Sequence, residues 1–246
     1  MRTRADLLLV ARGLFESRAK ARAAIAAGGV TADGRVVLKA AELLADDAAI
    51  EAVADHPWVG RGALKLEHAL VTWPIVVAGR VVLDVGASTG GFTEVCLAAG
   101  ARRVYAVDVG RGQLHASLLD DPRLTILEGV DARDLTPGEI AEAPELVVCD
   151  VSFIGLAKAL PAALALAAEG ADLVALVKPQ FEVGPARVGK GGLVKDEAAR
   201  AEALAAAEAF FEAEGWAVQA SVESPIAGGE GNREYLLWAQ KKGRPR

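Results

Sequence analysis

Short, largely apolar runs, each closed by a glycine, an acid or a lysine, set the frame of the chain. Val81 to Val85, Val104 to Val107, Leu124 to Leu127, Leu146 to Cys149 and Leu173 to Val177 are short, rich in β-branched residues, and do not alternate with polar ones. That pattern predicts strands buried on both faces. Helical stretches fall between and after them, Phe92 to Ala99 and a long alanine-rich run from about Asp196 to Glu214. Two further strands close the chain, Trp216 to Val222 and Glu234 to Ala239, with a glycine-rich loop, Gly228 to Arg233, turning the last one back antiparallel. The alternation predicts an α/β fold with a Rossmann-like, mostly parallel sheet whose final strand is antiparallel. Ahead of it the pattern changes. Residues 5 to 11 and Ser17 to Ile25 predict two short helices, Ser17 being an N-cap. Gly28 to Val36 predicts a helix stop and a tight hairpin, and Ile50 to Val53 a closing strand. Residues 1–56 therefore form a small α+β domain, 57–62 a linker that begins at Pro57, and 63–246 the large domain.

The stretch Asp84-Val85-Gly86-Ala87-Ser88-Thr89-Gly90-Gly91-Phe92-Thr93 carries the first candidate chemistry. It reads as strand, glycine turn and helix start, where backbone can approach a ligand and free N–H groups face it. A dinucleotide site wants Gly-x-Gly-x-x-Gly, and Ser88 breaks that spacing. Asp84 would repel a pyrophosphate but suits a ligand carrying an ammonium and a sulfonium, which points to S-adenosylmethionine. Asp108, just over twenty residues on, is placed to hydrogen-bond ribose hydroxyls. Asp131-Ala132 follows the third strand, placed to meet an adenine. A single acid at a strand end is usually a solvated cap, and three at successive strand ends argue for a site.

Later strands end in polar residues too. Asp150 follows Leu146 to Cys149, and Lys178 follows Leu173 to Val177 directly before Pro179. In open α/β sheets the ligand crevice lies outside these ends, so Asp150 and Lys178 face one cleft. A hairpin returning antiparallel brings Glu234 to the same edge, and Lys65 sits on a helix released by Gly60 and Gly62. Alone, Lys65 would read as a surface lysine.

Charge and composition narrow the classes. The net charge is −6, against a nucleic-acid partner on average, but the average hides an asymmetry. Between residues 1 and 39, Arg2, Arg4, Arg12, Arg18, Lys20, Arg22, Arg35 and Lys39 face only Asp6, Glu16 and Asp33. Arg18 and Arg22 share one helix face with Lys20 beside them, which suits gripping a folded RNA by its phosphates. No apolar run reaches membrane-spanning length, and Leu7 to Ala11 is too short for a signal core, so a cytoplasmic protein is expected. Cys96 and Cys149 match no metal spacing and read as buried thiols, and no metal site is expected.

The N-terminal residues Ser17 to Arg22 and Gly28 to Val36 resemble the RNA-binding domain named after the fourth small-subunit ribosomal protein. Over essentially the whole chain, Arg61-Gly62-Ala63-Leu64-Lys65-Leu66, Asp84 to Thr93, Asp150-Val151-Ser152-Phe153-Ile154, Lys178-Pro179-Gln180-Phe181-Glu182 and Gly231-Asn232-Arg233-Glu234-Tyr235 resemble the TlyA-type, haemolysin-A-like ribosomal RNA 2′-O-methyltransferases, whose catalytic half is similar to the FtsJ group. The family commonly has a second glycine where Ala63 stands. The resemblance implies a Lys-Asp-Lys-Glu catalytic set at Lys65, Asp150, Lys178 and Glu234. It also implies S-adenosylmethionine held by Asp84, Gly86, Ala87, Ser88, Thr89, Gly90, Gly91, Phe92, Thr93, Asp108, Asp131, Ala132 and Asp150. The substrate it implies is a cytidine ribose in small-subunit, large-subunit or both ribosomal RNAs, gripped through Arg4, Arg18, Lys20, Arg22 and Arg35, by a monomer or weak dimer. Lys178 either takes the hydroxyl proton or steers the hydroxyl and stabilises the developing alkoxide. Three rivals stand beside this. A base methyltransferase would need an amide and proline pair after the fourth strand, which Asp150 to Phe153 lacks. A membrane-lytic protein would need a long basic amphipathic stretch. A binding module without catalysis would have no use for the polar set.

Overall fold

In the computed structural model, which describes residues 1–53, 56–228 and 231–243, the chain divides between Pro57 and Trp58 into two units. Gly229 and Glu230 of the predicted glycine-rich loop, and residues 244–246 at the end of the predicted large domain, lie outside the described residues.

The first unit runs β1 (Arg2–Arg4), α1 (Ala5–Ala11), α2 (Arg18–Ala26), β2 (Val30–Ala32), β3 (Arg35–Val36), β4 (Leu43–Ala45) and β5 (Ile50–Ala52). β1 pairs with β4, and β2 with both β3 and β5, all antiparallel. Ser17 caps α2 by accepting the backbone N–H of Lys20 at 3.3 Å. The β2–β3 hairpin closes through Asp33 and Gly34, at φ 51° and 73°, the left-handed pair that a two-residue turn between twisted strands requires. Helices this short do not hold their shape alone in water. Leu8, Leu9, Phe15, Ile25, Val30 and Leu44 provide the shared core.

The second unit continues with α3 (Ala63–Thr72), β6 (Val81–Val85), α4 (Gly91–Ala98), β7 (Arg103–Asp108), β8 (Leu124–Glu128), β9 (Leu146–Cys149), α5 (Leu156–Ala159), α6 (Pro161–Leu166), β10 (Asp172–Val177), α7 (Pro179–Glu182), α8 (Glu197–Ala213), β11 (Trp216–Glu223) and β12 (Tyr235–Lys241). One sheet takes the order β11-β12-β10-β9-β6-β7-β8. Pairs from β10 to β8 are parallel, and β12 runs antiparallel to both β10 and β11. The expected sheet is found, its one reversed strand lying inside the edge strand β11.

Alternation along the strands explains the two-sided core. Leu83, Val85, Val147, Cys149, Leu173, Ala175 and Leu237 pack toward α5, α6 and α8 through Leu160, Leu164, Ala207 and Phe211. Val82, Val104, Val148, Val174 and Leu176 point the other way, onto α3 and α4 through Leu66, Ala69, Val95 and Cys96. Cys96 and Cys149 are free and buried, and burial pushes the Cys149 thiol up to about 12. Among the described residues, no helix is long and apolar enough to cross a membrane.

Candidate active site

The glycine turn after β6 is shaped by what packs over it. Gly86 has φ 86°, and a Cβ there would lie 3.0 Å from the backbone oxygen of Asp150. Only glycine allows the β9 loop to descend onto the turn at this point. Gly90 (φ 94°) caps α4, and a side chain on Gly91 would meet the backbone N of Ala63 at 3.1 Å, so α3 and α4 begin in close contact. Two adjoining clefts result. A larger one of about 560 Å³ has walls from Gly86, Ser88, Asp108, Asp131, Ala132 and Asp150. A smaller one of about 190 Å³ is bounded by Gly60 to Gly62, Ala87, Thr89, Gly91, Phe92, Asp150 and Lys178.

The acids differ more than their shared position at strand ends suggests. Asp84 lies inside β6 rather than at its tip, on the face toward α4, and is fully buried. One oxygen accepts from the Thr93 hydroxyl at 2.6 Å while Oδ1 has no hydrogen-bond partner. Burial, reinforced by Asp150 and Asp108, pushes its carboxyl up to about 7 against the Thr93 hydrogen bond. None of Asp84, Gly90 and Thr93 lines either of these two clefts. Asp108 closes β7 and accepts the backbone N–H groups of Ser88 (2.8 Å) and Gly110 (2.7 Å). It faces the larger cleft with lone pairs to spare. Asp131 lies beyond the end of β8, at the N-cap of a 3₁₀ turn, where Arg133 pulls its carboxyl down to about 2.

Lys65, Asp150, Lys178 and Glu234 come together as two ion pairs. Lys65 Nζ donates to Glu234 Oε2 at 2.6 Å, with the two side chains only 8% and 2% exposed. Gln180 Nε2 donates to the other Glu234 oxygen at 3.1 Å. Strand register explains the meeting: Val177 of β10 lies opposite Tyr235 of β12, so Lys178 and Glu234 leave the sheet at the same edge. Lys178 Nζ lies 2.6 Å from Asp150 Oδ1 and donates to Ser152 Oγ at 2.8 Å. A third cleft, of about 550 Å³, is lined by Lys65, Ser152, Phe153, Lys178, Gln180 and Glu234. Ser152 borders all three clefts and Lys178 two of them, so the Lys178–Ser152 contact stands where the spaces adjoin.

Several residues at this site carry no signal in the sequence pattern. Phe153 is 91% exposed at φ 67°, its ring 5.3 Å from that of Phe181. Glu182 accepts the N–H of Leu156 at 2.9 Å and ties the β9 loop to α7. Asn232 is buried and bridges the segment before α8, accepting from Val194 N–H at 2.9 Å and donating to the Gly192 carbonyl at 2.8 Å. Loop residues of this kind lack the periodicity that marks strands and helices, so only their motif context could have found them.

In the first unit the predicted cations are placed as follows. Arg4 and Arg18 both donate to the buried Asp6, Arg4 Nε at 3.0 Å and Arg18 Nη2 at 2.8 Å. Lys20 pairs with Glu16 at 2.8 Å and Arg35 with Glu42 at 3.3 Å. Arg22 is exposed. The role of Asp6 as an anchor under two arginines is absent from the sequence reading.

Comparison with known proteins agrees with this architecture. Residues 58–241 match the model of the FtsJ-like methyltransferases and residues 3–49 that of the S4 domain. The 16S/23S rRNA (cytidine-2′-O)-methyltransferase TlyA of Mycobacterium tuberculosis is 49% identical over 96% of this chain and 89% of its own length. Hemolysin A of Brachyspira hyodysenteriae is 38% identical over 95% of this chain and 98% of its own. Among solved structures, a hemolysin-named protein of Streptococcus thermophilus superposes with a TM-score of 0.78 at 38% identity, covering 99% of this chain and 90% of that one. The Synechocystis magnesium protoporphyrin IX methyltransferase, 16% identical with a TM-score of 0.53 over 74% of this chain and 84% of that one, shares the fold. With a methyltransferase sheet, an S4 domain and relatives matched nearly end to end, the chain belongs to the TlyA family of FtsJ-like methyltransferases.

Proposed function

We propose that the protein transfers a methyl group from S-adenosylmethionine to the 2′-hydroxyl of a cytidine ribose in ribosomal RNA, in the small subunit, the large subunit or both. The observation that carries the reading is the junction at Lys178, where a cation held by Asp150 and Ser152 borders one cleft on the glycine turn and another walled by Lys65 and Glu234. The residues present fit the cofactor. Val85, Val107, Val130 and Ala132 offer apolar walls to a purine, and Asp108 and Asp131 offer acceptors to hydroxyl and amino groups. The glycine-rich compartment admits the amino-acid portion, with Asp84 behind it and one of its oxygens unpartnered. When bound, S-adenosylmethionine supplies an electrophilic methyl on a sulfonium.

A ribose hydroxyl is a weak nucleophile until its proton is held or removed, and oxygen, carbon and sulfur must lie in line. When bound, the cofactor would give up this methyl to the ribose oxygen and leave as S-adenosylhomocysteine, so the protein's task is to hold or remove the hydroxyl proton. Lys178 Nζ is the group that meets this hydroxyl: as a neutral amine it accepts the proton, and as an ammonium it steers the hydroxyl and stabilises the developing alkoxide while the proton passes to water. Asp150 holds Lys178 electrostatically, and Glu234, fixed by Gln180, holds Lys65. The S4 domain presents Arg22 and Arg35 on its surface to RNA phosphates. Methyl transfer from labelled cofactor to 30S and 50S subunits lacking the modification, followed by mapping of methylated riboses, tests the reading. Lys178→Ala is expected to retain affinity for S-adenosylhomocysteine and lose turnover. Full turnover in that variant, or no methylation of either subunit by the parent protein, refutes it.

A further inference from the structure

Lys178 has two neighbours, and they hold it differently. Asp150 Oδ1 is 2.6 Å from Nζ, yet this oxygen has no aligned hydrogen bond and acts on the ammonium through charge. The aligned acceptor is Ser152 Oγ at 2.8 Å. Charge attraction is nearly independent of rotation about the Cε–Nζ bond, whereas a hydrogen bond is directional. Once one tetrahedral position on Nζ is fixed on Ser152, the remaining two are fixed as well. Whichever of them meets the substrate hydroxyl, as an N–H or as a lone pair, then points in one direction.

We propose that Ser152 is a positioning residue for methyl transfer: its hydroxyl sets the orientation of the Lys178 amino group toward the ribose oxygen. The inference rests on the reading of Lys178 given above. Three features favour a role in orientation over a role in the fold. Ser152 is exposed, so no packing holds or needs it. It borders the two clefts on the glycine turn as well as the one containing Lys65 and Glu234. It is followed by Phe153 in a left-handed conformation, φ 67°, a backbone state that bulky residues adopt only where the surroundings impose it. That turn presents the Ser152 hydroxyl to Nζ.

The test is steady-state methylation of unmodified ribosomal subunits by the full chain carrying Ser152→Ala or Ser152→Thr, with S-adenosylhomocysteine affinity measured on the same preparations. Misplaced catalytic groups lower turnover by up to about a hundredfold. Ser152→Ala is expected to lower kcat by about ten- to a hundredfold, with KM for the subunit and cofactor affinity within about twofold of the parent. Ser152→Thr, which keeps the hydroxyl, is expected to recover most of the turnover. Unchanged kcat in Ser152→Ala overturns the inference, as does a loss confined to KM or cofactor affinity, or a threonine variant as slow as the alanine one. If Lys178→Ala retains turnover, the parent reading fails. If Lys178→Ala is inactive while Ser152→Ala is unimpaired, only the present inference fails.

Discussion

Replacing Glu234 by alanine leaves the Lys65 charge in a site where its side chain is 8% exposed. At the observed 2.6 Å separation, the pair attraction is about 6 kcal/mol gross at an effective dielectric constant of about 20. Desolvation offsets much of that, and the measured consequence of removing one partner of a buried pair is about 3–5 kcal/mol. Gln180 Nε2, part-buried, loses its acceptor too, which adds a further loss at or below the low end of the about 1–3 kcal/mol of a fully buried orphaned donor. Urea unfolding followed by tryptophan fluorescence isolates the effect. The four tryptophans, Trp58, Trp73, Trp216 and Trp238, all belong to the catalytic unit. The midpoint is expected to fall by about 1–2 M urea with the slope unchanged. The double variant Lys65→Met with Glu234→Leu is expected to regain most of the stability, since apolar replacements of buried pairs are neutral or stabilising, while methyl transfer stays lost. A single variant within about 1 kcal/mol of the parent, or a double variant as unstable as the single one, refutes the reasoning.

Titration of two buried acids gives predictions of opposite sign. Asp84, pushed up to about 7 from 3.8, disfavours its ionised form in the fold, so stability falls as pH rises from about 4 to about 7, by about 4 kcal/mol in all. Asp84→Asn is expected to flatten that slope in tryptophan-detected unfolding of the unliganded protein, and an unchanged slope counts against it. Asp6 is held well below the ordinary carboxylate range by hydrogen bonds from Arg4 first and Arg18 with it. Its contribution is therefore complete above about pH 4 and is lost as pH falls below that. Amide NMR signals of residues 1–53 are expected to broaden or shift on acidification in the parent and to lose this pH dependence in Asp6→Asn. Phe153→Gly releases a conformation costing about 1–3 kcal/mol in a non-glycine residue and removes a ring that is 91% exposed. Equal or higher stability with a raised KM for RNA is expected, and a lower urea midpoint contradicts the strain argument.

How far the sequence carries depends on whether a residue's role is local. The central strands β6, β7, β9 and β10 were legible because helices cover both faces of the sheet, which leaves Val81 to Val85 or Asp172 to Val177 without a polar position except where one has a job. Asp84 and Asp172 are such exceptions. Asp172 begins β10 and takes Arg80 at 2.6 Å and Trp238 Nε1 at 2.8 Å, partners 92 and 66 residues away. Nothing near Asp172 in sequence announces that cluster. Lys178 and Asp150 could be placed from strand ends alone, whereas Glu234 also needed the antiparallel return of β12, which the glycine-rich loop supplied. Asp6 was hidden by the opposite problem. Its helix reads as an apolar heptapeptide with one solvated charge, and its buried carboxylate is matched by Arg4 two positions before it and by Arg18 reaching back twelve. Ser152 lies in the loop after β9 and Gln180 in the single-turn helix α7, and neither segment is long enough for periodicity to separate a positioning group from a solvated one.

The difference in burial between the two ion pairs divides the work between the two lysines. Lys65 and Glu234 are 8% and 2% exposed, and Gln180 occupies the remaining acceptor of Glu234, so this pair is closed on itself. Lys178 is 9% exposed, but its carboxylate partner Asp150 is 19% exposed and its hydrogen-bond acceptor Ser152 is open to solvent. A sealed pair cannot exchange a proton with a substrate hydroxyl without first breaking a contact worth several kcal/mol. An open one can do so with only the displacement of water. Lys65 is therefore suited to hold charge and shape at the wall of the cleft, and Lys178 to meet the reacting oxygen. The same reasoning orders the expected losses: Lys178→Ala acts mainly on turnover, with a stability loss smaller than that of Lys65→Ala because its partner Asp150 is more open to water, and equal stability loss in the two variants would contradict the division.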